Sequence, residues 1–255
     1  MIRAALLLLL LAWPAMAEQA GPLRTAPGVV ARDGAATGAL VWLHPHYTEG
    51  PPPEAPAWTA RLAAAGWDLW RYDRTGGRDP LEAGAAGLAA GSAALRARGY
   101  RRVALVGESR GAFIALVALR YAGLAEAVVL AAPAAHGRRV ERRPQALADF
   151  NAALAAAAPT PGQRMALLLF RDDGWDPDPE ARAAAFRAAT ARLGASGLLL
   201  DRPAAPTGHG GVQEEVFDSL FVLLCHIIVA LGEAVAARTS RHTAGEFAGD
   251  AKAHG

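Results

Sequence analysis

One short stretch constrains this chain more than any other: residues 103–111, VALVGESRG, where an apolar run stops abruptly at Gly107, Glu108, Ser109, Arg110 and Gly111. The run reads as a buried strand, and the Ala- and Leu-rich residues 112–121 after it read as a helix. A serine with a glycine two positions away on each side suits a tight strand-to-helix turn. Side chains at positions 107 and 111 would collide with the turn itself, so glycine is needed there. The helix would then aim its first backbone N–H groups at any negative charge developing beside Ser109. The bland alternative is a glycine-flanked turn holding an ordinary serine; the strand before it and the helix after it weigh against that.

The rest of the sequence alternates around this unit. Residues 39–43 (ALVWL), 67–72, 127–132 (AVVLAA), 165–170 (MALLLF) and 197–200 read as strands, and residues 58–65, 81–98, 145–157 and 179–193 as helices. Continuous apolar strands separated by helices imply an α/β fold: a mostly parallel central sheet with helices on both faces. Residues 18–38 are rich in Gly, Ala and Pro, with Val29 and Val30 as the only hint of a strand. Residues 136–164 form a short insertion in place of a large lid. It carries Arg138, Arg139, Arg142 and Arg143, which either receive an acidic substrate group or form a solvated face.

A chain of 255 residues fits one α/β domain with an ample core. Its 26 basic residues are all arginine except Lys252, and the net charge is only +2, so no electrostatic footprint for nucleic acid is present. Residues 1–17 carry Arg3, an apolar run and then Ala15, Met16 and Ala17, the layout of a cleavable secretory signal. The expected organisation is a signal peptide at 1–17, a single domain at 18–238 and a frayed tail at 239–255. Residues 216–237 are strongly apolar but contain His226 and include Asp218 and Glu233, which fits a buried terminal helix better than a membrane span. No stable membrane span is expected once the signal is removed. Cys225, the only cysteine, allows no intramolecular disulfide, so stability must come from the core.

A serine hydroxyl becomes a useful nucleophile when a base takes its proton, and the base needs a carboxylate to fix its tautomer. Downstream of Ser109, Asp172, Asp173 and Asp176 follow the strand at 165–170, and His209 follows the strand at 197–200. This order of Ser, Asp and His, each in a loop after a strand, resembles the α/β-hydrolase superfamily over about residues 39–232. The compact size looks most like the dienelactone-hydrolase and small carboxylesterase branches. Glu108 beside Ser109 is similar to the GESAG turn of carboxylesterases, with Arg110 replacing the usual small residue.

The resemblance implies Ser109 as nucleophile, His209 as general base and an aspartate to orient it. It also implies an oxyanion hole built from the N–H after the nucleophile and one from the loop after an earlier strand. Here that loop is His44, Pro45 and His46; proline has no N–H, so the backbones of Arg110 and His46 become the donors. The acid commonly lies in a segment resembling Asp-Pro-x-x-Pro, which the run from Asp173 to Pro177 matches, selecting Asp173. Asp176 precedes Pro177 and has an alternative role as a turn starter or helix cap, while Asp172 is too close to the strand. No cofactor is called for. His44 and His46 share one strand face, but no further ligands stand at recognisable spacing, so no metal site is expected. His136 either lines the pocket or is a capped loop histidine. The expected function is an exported serine hydrolase, periplasmic or secreted, that cleaves a carboxylic ester or related acyl bond of a small acyl substrate. A thioesterase or peptidase using the same three residues, and a secreted binding protein without turnover, stand as alternatives.

Overall fold

The computed structural model describes residues 19–217, apart from residues 21, 47–49, 75–79, 159 and 216. The expectations for the signal at 1–17, for Cys225, His226 and most of the helix at 216–237, and for the tail at 239–255 lie outside the described residues.

In chain order the elements are β1 (Gln19–Ala20), β2 (Leu23–Thr25), β3 (Gly38–Leu43), α1 (Thr59–Ala64), β4 (Trp67–Arg71), α2 (Leu81–Ala97) and β5 (Val103–Glu108). They continue with α3 (Arg110–Ala118), β6 (Ala127–Ala131), α4 (Arg143–Ala156), β7 (Arg164–Leu169), α5 (Pro179–Leu193) and β8 (Ser196–Asp201). Among the described residues the strands form one sheet in the order β1-β2-β4-β3-β5-β6-β7-β8. From β4 to β8 every pairing is parallel.

The alternation of side chains along each strand splits the core in two. Val41 and Leu43 of β3, Leu105 of β5, Leu130 of β6 and Leu167 of β7 face α2, α3, α4 and α5, which contribute Leu88, Phe113, Phe150 and Phe186. Their neighbours Leu40, Trp42, Val106, Val129 and Leu168 face the other way, against Trp58 and Leu62 at α1 and against Phe217. Both faces of the central strands are therefore buried, which is why those strands read as unbroken apolar runs.

The expectation for residues 18–38 needs correction. Val29 and Val30 are outside any strand, and Val30 is exposed. The strands there are β1 and β2, and β2 pairs antiparallel with β4. Only Leu23 and Thr25 of β2 turn inward, and Leu23 packs against Gly91 of α2, where a Cβ would lie 2.6 Å from the leucine Cγ. Three residues hold too little alternation for a sequence pattern to register.

The sheet reverses its winding between β3 and β5: the chain leaves β3 for β4 on one side, and β5 lies on the other. Crevices at the carboxyl ends of parallel strands, at such a switch point, are where open α/β sheets bind ligands. The loop after β3 and the turn after β5 meet at that end.

Candidate active site

Ser109 stands between β5 and α3 with φ 52° and ψ −117°. This region is sparsely populated for a residue with a Cβ and costs about 1–3 kcal/mol. Backbone bonds hold it there: the Ser109 N–H donates to the Ala131 carbonyl at 2.9 Å, and its carbonyl accepts from Phe113 at 3.0 Å and Ala134 at 3.1 Å. The two glycines are required for different reasons. A Cβ on Gly107 would lie 2.6 Å from the backbone nitrogen of Ala112, inside the turn. A Cβ on Gly111 would overlap the Leu43 carbonyl and lie 2.7 Å from that of His44, so this glycine is what lets α3 start against the end of β3.

His209 arrives from the far side of the sheet. Thr207 bridges Arg171 and the Gly208 N–H donates to the Arg171 carbonyl at 2.7 Å, which carries the β7–β8 pairing beyond the strands. Gly208 then turns the chain with φ +73°, and Gly211 sits so close to Phe170 that a Cβ there would lie 2.9 Å from the ring. The His209 ring ends with Nε2 2.7 Å from Ser109 Oγ and Nδ1 2.9 and 3.0 Å from the two carboxylate oxygens of Asp173. A carboxylate at Nδ1 makes that nitrogen the donor, leaving Nε2 as the acceptor for the serine hydroxyl. Asp173 is buried and also accepts from the Trp175 N–H at 2.8 Å.

The other two aspartates part company with it. Asp172 is exposed, with its side chain near Arg171. Asp176 is buried and pairs with Arg182 Nε at 3.3 Å, while Arg182 also donates to the Pro133 carbonyl at 2.6 Å and packs over Phe150. Burial pushes the Asp176 carboxyl up and Arg182 opposes this. Asp176 does start a turn, accepting from the Asp178 N–H at 3.3 Å, but the N-cap position of α5 belongs to Asp178.

A cavity of about 420 Å³ opens over Ser109. Pro45 and His46 after β3 form one wall, Ala134 and Ala135 after β6 another, and Arg110, Trp175 and His209 are also part of the lining. The Trp175 ring stacks on His209 at 5.2 Å, and the Arg138 guanidinium lies 6.0 Å above Trp175. Arg139, Arg142 and Arg143 are exposed, as a solvated face would be. Nothing in the sequence reading pointed to Trp175, although a bulky aromatic amid turn-forming residues was a visible signal.

The remaining histidines have structural surroundings. His44 is buried; its Nε2 accepts from the Arg74 N–H at 3.2 Å, and its Nδ1 lies 2.7 Å from the Pro45 carbonyl, an arrangement that suits the neutral ring. Burial and then the Arg74 charge hold its pKa down to about 4. His136 is bound to Asp149 at 2.7 Å and packs edge-on against Phe113, outside the cavity lining. Among the described residues no group of three or more His, Cys, Asp or Glu side chains is placed to hold a metal ion.

A mostly parallel sheet with a serine on the β5–α3 turn and an acid and a histidine after β7 and β8 is the α/β-hydrolase fold. Solved structures with this fold superpose on the chain. They include the acylaminoacyl peptidase of Pyrococcus horikoshii, with TM-score 0.56 and 12% identity over 81% of this chain and 39% of the peptidase. Esterase B of Lactobacillus rhamnosis gives TM-score 0.56 and 14% identity over 87% of this chain and 82% of the esterase. An esterase of Pyrococcus furiosus gives 0.53 and 14% over 76% and 82%. The chain thus spans well under half the length of the peptidase and most of the length of each esterase. No protein-family model matches the sequence, and no curated protein matches it.

Proposed function

We propose that this protein is a serine hydrolase that cleaves a carboxylic ester or a related acyl bond through an acyl-enzyme on Ser109. The observation that carries this reading is the chain of contacts from Ser109 Oγ to His209 at 2.7 Å and from His209 to Asp173 at 2.9 Å, opening into the cavity. In acylation Oγ attacks the carbonyl carbon, its proton passes to Nε2, and Asp173 steadies the imidazolium. His209 then protonates the leaving alcohol, and water repeats the sequence to release the acid. The backbone N–H groups of Arg110 and His46 are the proposed donors to the tetrahedral oxyanion. The substrate is a small acyl compound, matched to a cavity in the usual size range for small ligands.

A peptidase or thioesterase would use the same machinery, and the likeness to an acylaminoacyl peptidase keeps that reading open. Purified protein assayed on p-nitrophenyl esters of graded chain length, thioesters and peptide amides separates the three. A fluorophosphonate probe reports the serine independently of substrate. Ser109→Ala should abolish labelling and lower kcat by roughly 10³-fold or more while the protein remains folded. Undiminished labelling or turnover by that variant would refute the mechanism.

A further inference from the structure

Glu108 has no part in the mechanism above, yet it is a buried carboxyl directly before the nucleophile. Along β5 it shares a sheet face with Ala104 and Val106, the face on which Trp58, Val212 and Phe217 also pack. Its Oε2 accepts a hydrogen bond from Gln213 Nε2 at 2.5 Å, across 105 residues of sequence. Gln213 ends the single helical turn Gly211–Gln213, which begins two residues after His209. That turn is pinned in three places: Phe170 lies under Gly211, the Trp58 Nε1–H donates to the Val212 carbonyl at 3.2 Å, and Glu108 holds Gln213. Two of these are ring contacts or a neutral hydrogen bond to backbone. The third ties the strand that delivers Ser109 to the turn that delivers His209, and it does so with an ionisable group.

We propose that Glu108 is a positioning residue for the reaction: through Gln213 it fixes the His209 turn, and its carboxylate favours the protonated histidine that forms when Ser109 gives up its proton. This rests on the serine-hydrolase reading above. Glu108 itself makes and breaks no bond; the proton moves from Ser109 Oγ to His209 Nε2, and the nearby negative charge lowers the energy of the resulting imidazolium. Gln213 is hydrogen-bonded to the carboxyl, and the His209 ring is close enough for its charge to act on it. Burial pushes its pKa up to about 7, with the Gln213 hydrogen bond and the His209 charge opposing. The carboxyl is therefore neutral below about pH 7 and charged above it, so its help to the histidine grows as pH rises through neutrality.

The test measures kcat and KM for a neutral p-nitrophenyl ester from pH 5.5 to 9, on protein whose serine labels with fluorophosphonate and whose thermal midpoint is recorded. Wild-type kcat should rise on the acid side with two ionisations. Glu108→Gln should lose one of them and fall roughly tenfold at pH 8, equivalent to about 1.4 kcal/mol, with KM within about twofold. Gln213→Ala keeps the charge but removes the donor that lowers the carboxyl pKa, so its acid limb should move to higher pH; this variant carries the test if Glu108→Gln does not fold. A purely structural anchor would lower kcat equally at every pH. An acid limb unchanged in both variants, in protein that labels, overturns the positioning role alone. Wild-type protein that neither labels nor turns over any ester overturns the hydrolase reading, and the positioning role with it.

Discussion

Asparagine at position 173 would keep the shape that faces His209 and remove the charge that favours the imidazolium, so Asp173→Asn should cost roughly 10²- to 10⁴-fold in kcat. The same change three residues on has a different target. Asp176→Asn leaves the buried Arg182 guanidinium facing a neutral amide, with its hydrogen bond to the Pro133 carbonyl still in place. Removing one partner of a buried pair typically costs about 3–5 kcal/mol, so Asp176→Asn should unfold at lower urea while kcat of the folded protein changes little. Activity assays beside urea melts separate the two. A folded Asp176→Asn without turnover, together with an active Asp173→Asn, would move the acid by three residues. The sequence could rank these aspartates only by analogy and turn preference, because burial and the identity of a cationic partner six positions further on in a helix are tertiary facts.

At the scale of elements, the β5–α3 unit was readable because its constraints are local: an apolar run, two glycines and a helix former. The geometry gives each glycine a separate test. Gly111→Ala would drive a methyl group into the Leu43 carbonyl, a rigid neighbour, and should lose soluble protein or at least several kcal/mol of stability. Gly210→Ala, with open space around it and φ −91°, should stay within about 0.5 kcal/mol. Expression yield and thermal midpoints of the pair check this, and a stable Gly111→Ala would mean that β3 and α3 approach less closely than described. The parallel strands were legible for the same local reason, since burial on both faces writes itself as an apolar run. What stayed illegible was contact at a distance. The β2 strand is three residues long, the Trp175 ring reaches His209 across 34 positions, and Glu108 meets Gln213 across 105. No spacing rule connects such pairs, because the sheet order that brings them together is itself a property of the whole chain.

For the molecule as a whole, residues 1–17 predict that protein recovered outside the cytoplasm begins at Glu18; N-terminal sequencing that returns Met1 would refute cleavage. No described helix is long and apolar enough to cross a membrane. The sheet order also places the proposed reaction in time. Ser109 directly follows the central strand β5, but the histidine beside it comes 100 residues later, after β7 and β8 have been added to the β6 side. At about 5–20 residues per second of synthesis, the serine is made some 5–20 s before the histidine exists. A growing chain would thus carry the proposed nucleophile without its base, and the proposed hydrolytic capacity would arrive in a single late step, when the last described strand pairs with its neighbour.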